Sequence, residues 1–167
     1  MRLDFRHLFP CTAEELWSIL ADPVYQAEAN SAANVRKELL ESRAEGKQRV
    51  ERVRVHVQRE LPAPMARALD TDRVSYVQEH RWRDEDLSMK WVVIPDVGAK
   101  YVQCRGDFRV ANRGKGECER LITGDLTVSV PLLGGRMEKK VAEDLKANYD
   151  ATAKLLLRYI QQRAQRA

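Results

Sequence analysis

The chain has 167 residues, 44% hydrophobic and 32% charged, with only 8 Gly and 6 Pro, which suits one globular domain spanning 1–167 and excludes a disordered or fibrous chain. Its 29 Lys and Arg against 25 Asp and Glu leave a net charge of +4, and because the two signs alternate this reads as a solubilising surface, with no nucleic-acid partner implied. The three cysteines, Cys11, Cys104 and Cys118, have no C-x-x-C spacing and no histidine pair beside them, so neither a disulfide framework nor a metal or other cofactor is expected.

Residues 1–10 carry Arg2, Asp4, Arg6 and His7 and lack the apolar run of a signal peptide, and nowhere do eighteen apolar residues follow one another. The expectation is a cytoplasmic protein without a membrane span. In the same segment Leu3, Phe5 and Phe9, with charged residues between them, mark a first strand that Pro10 closes. Thr12 and Glu15 then form a T-x-x-E capping box ahead of Leu16, Trp17, Ile19 and Leu20. Asp22-Pro23 repeats the helix-start signal and predicts a second short helix from Pro23 to about Ala33.

From Val35 to Val130 the dominant period is two, and turn chemistry recurs at 45–46, 84–86, 95–98 and 112–114, as in a meander of six strands with one wet face. The clearest alternations are Val53, Val55, Val57; Tyr76, Gln78, His80, Trp82; Met89, Trp91, Val93; Cys104, Gly106, Phe108; and Ile122, Gly124, Leu126. One connection is long, Leu61 to Arg73, and a short amphipathic helical turn around Met65 and Leu69 makes it a candidate flap. Beyond Pro131 the period becomes 3.6, with Met137, Val141, Leu145, Asn148, Thr152, Leu156 and Tyr159 on one stripe. This predicts a helix from about Arg136 to Gln162, roughly 40 Å long.

This order of elements predicts an α+β fold: a seven-stranded curved antiparallel sheet, two short helices after strand 1, and a long C-terminal helix over the apolar face. Gly106 and Gly124, inward on adjacent strands, let the sheet bend away from a straight helix and leave a cavity. On Phe5–Leu20 (FRHLFPCTAEELWSIL) and Gly124–Glu138 (GDLTVSVPLLGGRME) the chain resembles the START-like, or SRPBCC, superfamily with its helix-grip, Bet v 1-like fold. Within it the second run is similar to a bacterial branch described only as a domain of unknown function. The resemblance implies the fold over essentially the whole chain and carries no catalytic motif, because the superfamily's ligands and reactions are diverse.

The candidate ligand-binding residues follow from the inward phase. Gln78 and His80, between Tyr76 and Trp82, could orient a polar end, and Trp91, Phe108 and Tyr149 could stack on a flat molecule. Arg120 is in phase with Cys118 and Ile122, and unless a bulge turns it outward it would suit a carboxylate or phosphate headgroup. Asn148 and Thr152 interrupt the apolar stripe and would place hydrogen-bonding groups over the cavity. Cys104 and Cys118 read as packing residues, and Arg52, Arg54 and His56 as a solvated face. Three functions fit these residues. The first is a carrier or sensor whose partner is a hydrophobic small molecule such as a lipid, a role compatible with transient membrane contact. The second is a cyclase or dehydratase using His80 with Arg120 or Tyr76 as acid and base. The third is a protein-interaction module whose cavity is filled by its own side chains. Ligand identity and oligomeric state are not encoded in these patterns.

Overall fold

A computed structural model describes residues 1–166. The elements run β1 (Arg2–Phe9), α1 (Ala13–Leu20), α2 (Pro23–Ala32), β2 (Val35–Glu45), β3 (Gln48–Glu60), α3 (Ala63–Leu69), β4 (Arg73–Arg83), β5 (Ser88–Pro95), β6 (Val102–Asn112), β7 (Cys118–Val128) and α4 (Gly134–Arg166). The seven strands form one antiparallel sheet in the order β1-β7-β6-β5-β4-β3-β2. The short helices after strand 1 and the long terminal helix stand as the sequence predicts.

Local chemistry sets these boundaries. At α1 the capping box closes: the Glu15 N–H donates to Thr12 Oγ1 at 3.2 Å and the Thr12 N–H to Glu15 Oε2 at 2.8 Å, which satisfies two otherwise orphaned donors. Asp22 caps α2 by accepting the Val24 N–H at 2.8 Å. Helix α4 is longer at both ends than its periodicity predicts. At its start the chain passes so close over the end of β7 that a Cβ on Gly134 would lie 2.2 Å from the Val128 carbonyl oxygen. At its end the polar residues carry no apolar period, yet Arg163 donates to Ser18 Oγ of α1 at 2.6 Å.

Helix α4 lies on β7 and β1, with α1 and α2 beside it. Leu16, Ile19, Phe9, Ile122, Leu126 and Leu156, none more than 1% exposed, make the densest part of the core there. The β2 edge strand shows no inward–outward alternation, since every residue after Val35 is exposed. A register shift between Leu39 and Glu41 distorts its pairing with β3, a device that blunts sheet edges. Gly106 and Gly124 are directly paired across β6 and β7, and Trp91 of β5 pairs with Gly106. A Cβ on Gly106 would sit 2.6 Å from Trp91 Cζ2, and one on Gly124 2.9 Å from the same atom. The two glycines thus seat the Trp91 indole flat on the sheet. Among the described residues no helix is long and apolar enough to cross a membrane.

Candidate functional site

A cavity of about 250 Å³ opens between the concave face of the sheet, the first half of α4 and the α3 connection. Its floor comes from Tyr76, Gln78 and His80 of β4, Met89, Trp91 and Val93 of β5, and Cys104, Ile122 and Leu126 beyond them. Met137, Val141, Leu145 and Tyr149 of α4 form the roof, while Leu61, Met65 and Leu69 close the flap end. This end also holds Arg73 and Ser75, from which β4 runs inward to His80.

The inner end is uncharged. Burial above all, with Lys37 and Arg49 adding positive potential, pushes the His80 pKa down to about 4, so the ring is neutral at pH 7. Burial likewise raises the phenol pKa values of Tyr76 and Tyr149. Lys37 stands at the solvent-exposed rim, on the same side of the sheet as Val55 and Tyr76, and the protein crowded about it holds its pKa below the ordinary lysine value. Among the described residues five buried side-chain atoms have no hydrogen-bond partner: the Trp91 indole Nε1 and Gln78 Oε1, whose residues line the cavity, and Arg52 Nε, His56 Nε2 and Arg120 Nε, whose residues do not.

Arg120 points inward, as the strand phase predicts, but it does not reach the cavity. The side chain is 2% exposed, with its guanidinium 5.6 Å from the centroids of both Phe9 and Tyr149. It donates to the Tyr149 carbonyl at 2.8 Å and to Thr152 Oγ1 at 3.3 Å. A third contact joins it to His7 Nδ1 at 3.2 Å. Because a guanidinium can only donate, His7 Nδ1 accepts and its proton resides on Nε2, which donates to Asp150 Oδ1 at 2.9 Å. The network pins the middle of α4 to β1 and β7. Tyr149 covers it on one side and lines the cavity on the other, so Arg120 holds the helix through its two terminal nitrogens and does not line the cavity, while its buried Nε has no partner.

Of the other sequence candidates, Tyr76, Gln78, His80 and Trp91 line the cavity. Trp82 and Phe108 also point inward but lie beyond it, because Trp17 of α1 covers that row. The Trp17 ring is 5.6 Å from Trp82 and 6.3 Å from Phe108, and the Trp82 indole donates to Glu51 at 3.0 Å. Asn148 is half-buried outside the cavity, and Thr152 is taken up by Arg120 and by the Tyr149 carbonyl, to which it donates at 3.0 Å. Not foreseen from the sequence are Phe5 as a wall residue, His7 as a partner of Arg120 and Asp150 as the acceptor for His7. The inward phase of β1, Leu3-Phe5-His7-Phe9, was the available signal for the first two.

A family model described as a protein of unknown function, DUF2505, matches residues 4–160. The chain belongs to the DUF2505 family. None of the curated proteins matches this DUF2505 chain in sequence. Its fold is that of START-like proteins. The ZhuI aromatase/cyclase from Streptomyces sp. R1128 is 14% identical with a TM-score of 0.70, over 98% of this chain and 95% of that one. The TTHA0849 protein from Thermus thermophilus is 16% identical with a TM-score of 0.66, over 95% and 99% of the two chains. A START superfamily protein from Mycobacterium smegmatis is 13% identical with a TM-score of 0.63, over 95% and 98%. At these identities the likeness is one of fold.

The DUF2505 site offers apolar walls, aromatic faces, a few neutral hydrogen-bonding groups and, at the flap end, Arg73. Among the described residues no cluster of three His, Cys, Asp or Glu side chains could hold a metal ion. Cys104 lines the cavity, but burial lifts its thiol pKa to about 11, which leaves it a packing atom and a poor nucleophile. Cys11 and Cys118 lie outside the cavity, with their sulfurs 3.9 Å apart.

Proposed function

We propose that this DUF2505 protein is a carrier or sensor that encloses a hydrophobic small molecule between its sheet and α4. The observation that carries this reading is the cavity itself: about 250 Å³ of largely apolar space that the protein's own side chains leave unfilled, contrary to a module whose core is complete without a ligand. An apolar cavity of about 150 Å³ takes up benzene, so this one accommodates a molecule of roughly two fused rings, and a long acyl chain would need the α3 flap to open. The ZhuI aromatase/cyclase, similar in fold, lends support to a bound organic molecule and keeps an enzymatic reading in view. Against catalysis stand the weak basicity of His80, whose pKa lies near 4 and so far from the operating pH of a good general base, and the engagement of Arg120 elsewhere. The three cysteines are unpaired, which supports a reducing compartment such as the cytoplasm.

Native mass spectrometry of protein purified without detergent, followed by denaturing extraction, tests the proposal. A stoichiometric hydrophobic molecule, or uptake of an apolar fluorescent probe by stripped protein, is the expected result. Protein that is empty and takes up no apolar probe overturns it.

A further inference from the structure

The cavity walls carry charge at one place only. Among the residues that line it, Arg73 at the flap end is the one ionised side chain, since no Asp or Glu joins the walls and His80 is neutral. Strict alternation lapses where β4 begins: its ladder with β3 shifts register between His56 and Glu60, and the consecutive residues Arg73, Val74, Ser75 and Tyr76 all border the chamber. The ion pairs at this end of the sheet join Arg54 to Asp96 and Arg59 to Asp144. Among the described residues none joins Arg73 to Glu60, its partner across the ladder, or to Asp70 or Asp72 in the connection. The neighbouring hydroxyls have committed their protons, Thr71 to the Arg73 carbonyl at 3.1 Å and Ser75 to Asp96 at 2.5 Å. What remains free at the mouth is a guanidinium, which only donates and which suits the two oxygens of a carboxylate.

The field over the concave face has the same sign. Lys37, on the inward phase of β2 in one row with Val55 and Tyr76, also has no carboxylate partner among the described residues, and its charge is felt at His80. No wall carboxylate offsets the two cations. A ligand with an ammonium head would be repelled, and a neutral one would draw nothing from Arg73. An anionic head gains the pair, and at the mouth it keeps part of its hydration, which spares the cost of burying a charge. We infer that the ligand is an amphipathic anion, with its apolar body in the cavity and a carboxylate or similar oxyanion at the flap-end mouth against Arg73. The inference rests on the ligand-binding reading and specifies its substrate class.

Three probes with one ring system and heads of like shape but different charge test it on the full chain by equilibrium dialysis at pH 7: 2-naphthoate, 2-naphthamide and 2-naphthamidinium. An ion pair at a partly exposed mouth favours naphthoate over naphthamide by about fivefold. Naphthamidinium binds weakest, and added salt shrinks the advantage of the anion. Arg73→Gln lowers the naphthoate-to-naphthamide affinity ratio by about fivefold, whereas Lys37→Met, which removes the other unpaired cation of the concave face, leaves most of it. Reading a ratio separates this effect from a general loss of folded protein. Naphthamide or naphthamidinium bound as tightly as naphthoate, or a ratio that Arg73→Gln moves no more than Lys37→Met does, overturns the inference and leaves the carrier reading standing. Uptake of an apolar fluorescent probe but of none of the three does the same, and protein that takes up no probe at all overturns both.

Discussion

Acidification measures how firmly the sheet keeps His80 neutral. Its pKa in the folded protein is about 4 against an ordinary value of 6.5, and unfolding returns the imidazole to that ordinary value. Between the two values the unfolded chain therefore binds a proton that the folded chain does not. The stability contributed by His80 is fully present above about pH 6.5 and is lost as the pH falls toward 4. Between pH 7 and pH 5 the loss comes to at most about 2 kcal/mol, and the half-burial of the ring makes that figure a ceiling. The carboxylates that titrate abnormally, Asp4, Glu45, Asp96 and Asp150, are all shifted below their ordinary values, so they move away from this window. His7, whose pKa burial also depresses, acts in the same direction but is common to wild type and variant. Urea unfolding of the wild type and His80→Gln at pH 7, 6 and 5 isolates the difference. The wild type should lose up to about 2 kcal/mol more than the variant. Parallel losses in the two proteins would refute the account of His80 as a desolvated neutral ring.

Three further outcomes follow from the packing. Gly106→Ala places a Cβ 2.0 Å from the Thr123 carbonyl oxygen and 2.6 Å from Trp91. It should cost about 3 kcal/mol, seen as a lower Tm in a thermal melt, and an unchanged Tm would mean that the strands separate freely there. Arg120→Met removes the donors to Tyr149, Thr152 and His7 and should destabilise by about 3 kcal/mol. A double-mutant cycle with His7→Ala should show a coupling of about 1 kcal/mol, and strict additivity would dissolve the proposed network. Leu69→Ala trims the flap where Leu69 meets Gly98; stopped-flow exchange of an apolar probe should quicken several-fold, whereas an unaltered rate would place the route to the cavity elsewhere.

The fold was legible because its signals are local. The T-x-x-E box, the Asp-Pro start, the change of period from two to 3.6 and the helical turn inside Leu61–Arg73 each name an element without reference to the others. The site was legible only in part, since strand periodicity reports the face of a residue and not what covers it. Tyr76, Gln78, His80 and Trp82 share one face of β4, yet the first three meet the cavity and the fourth meets Trp17 of α1. Arg120 shows the same division on β7: its phase is inward, but α4 lies close against that strand, and the guanidinium is consumed by the Tyr149 carbonyl, Thr152 and His7. How far α4 stands from each strand is decided by packing between remote segments, and no period in either segment encodes it. The β2 edge was hard to read for the opposite reason, because a strand exposed on both faces has no burial to impose alternation.

The seat that Gly106 and Gly124 make for Trp91 also gives the protein an optical property. Of its three indoles, Trp17 and Trp82 lie edge to face outside the cavity with carboxylate partners of their own, Asp84 and Glu51. Trp91 alone combines an apolar bed with a bare N–H in the chamber wall. In a chain whose other two indoles are replaced by phenylalanine, emission would come from this ring only, and its colour and lifetime would register each arrival and departure in the chamber without any attached label.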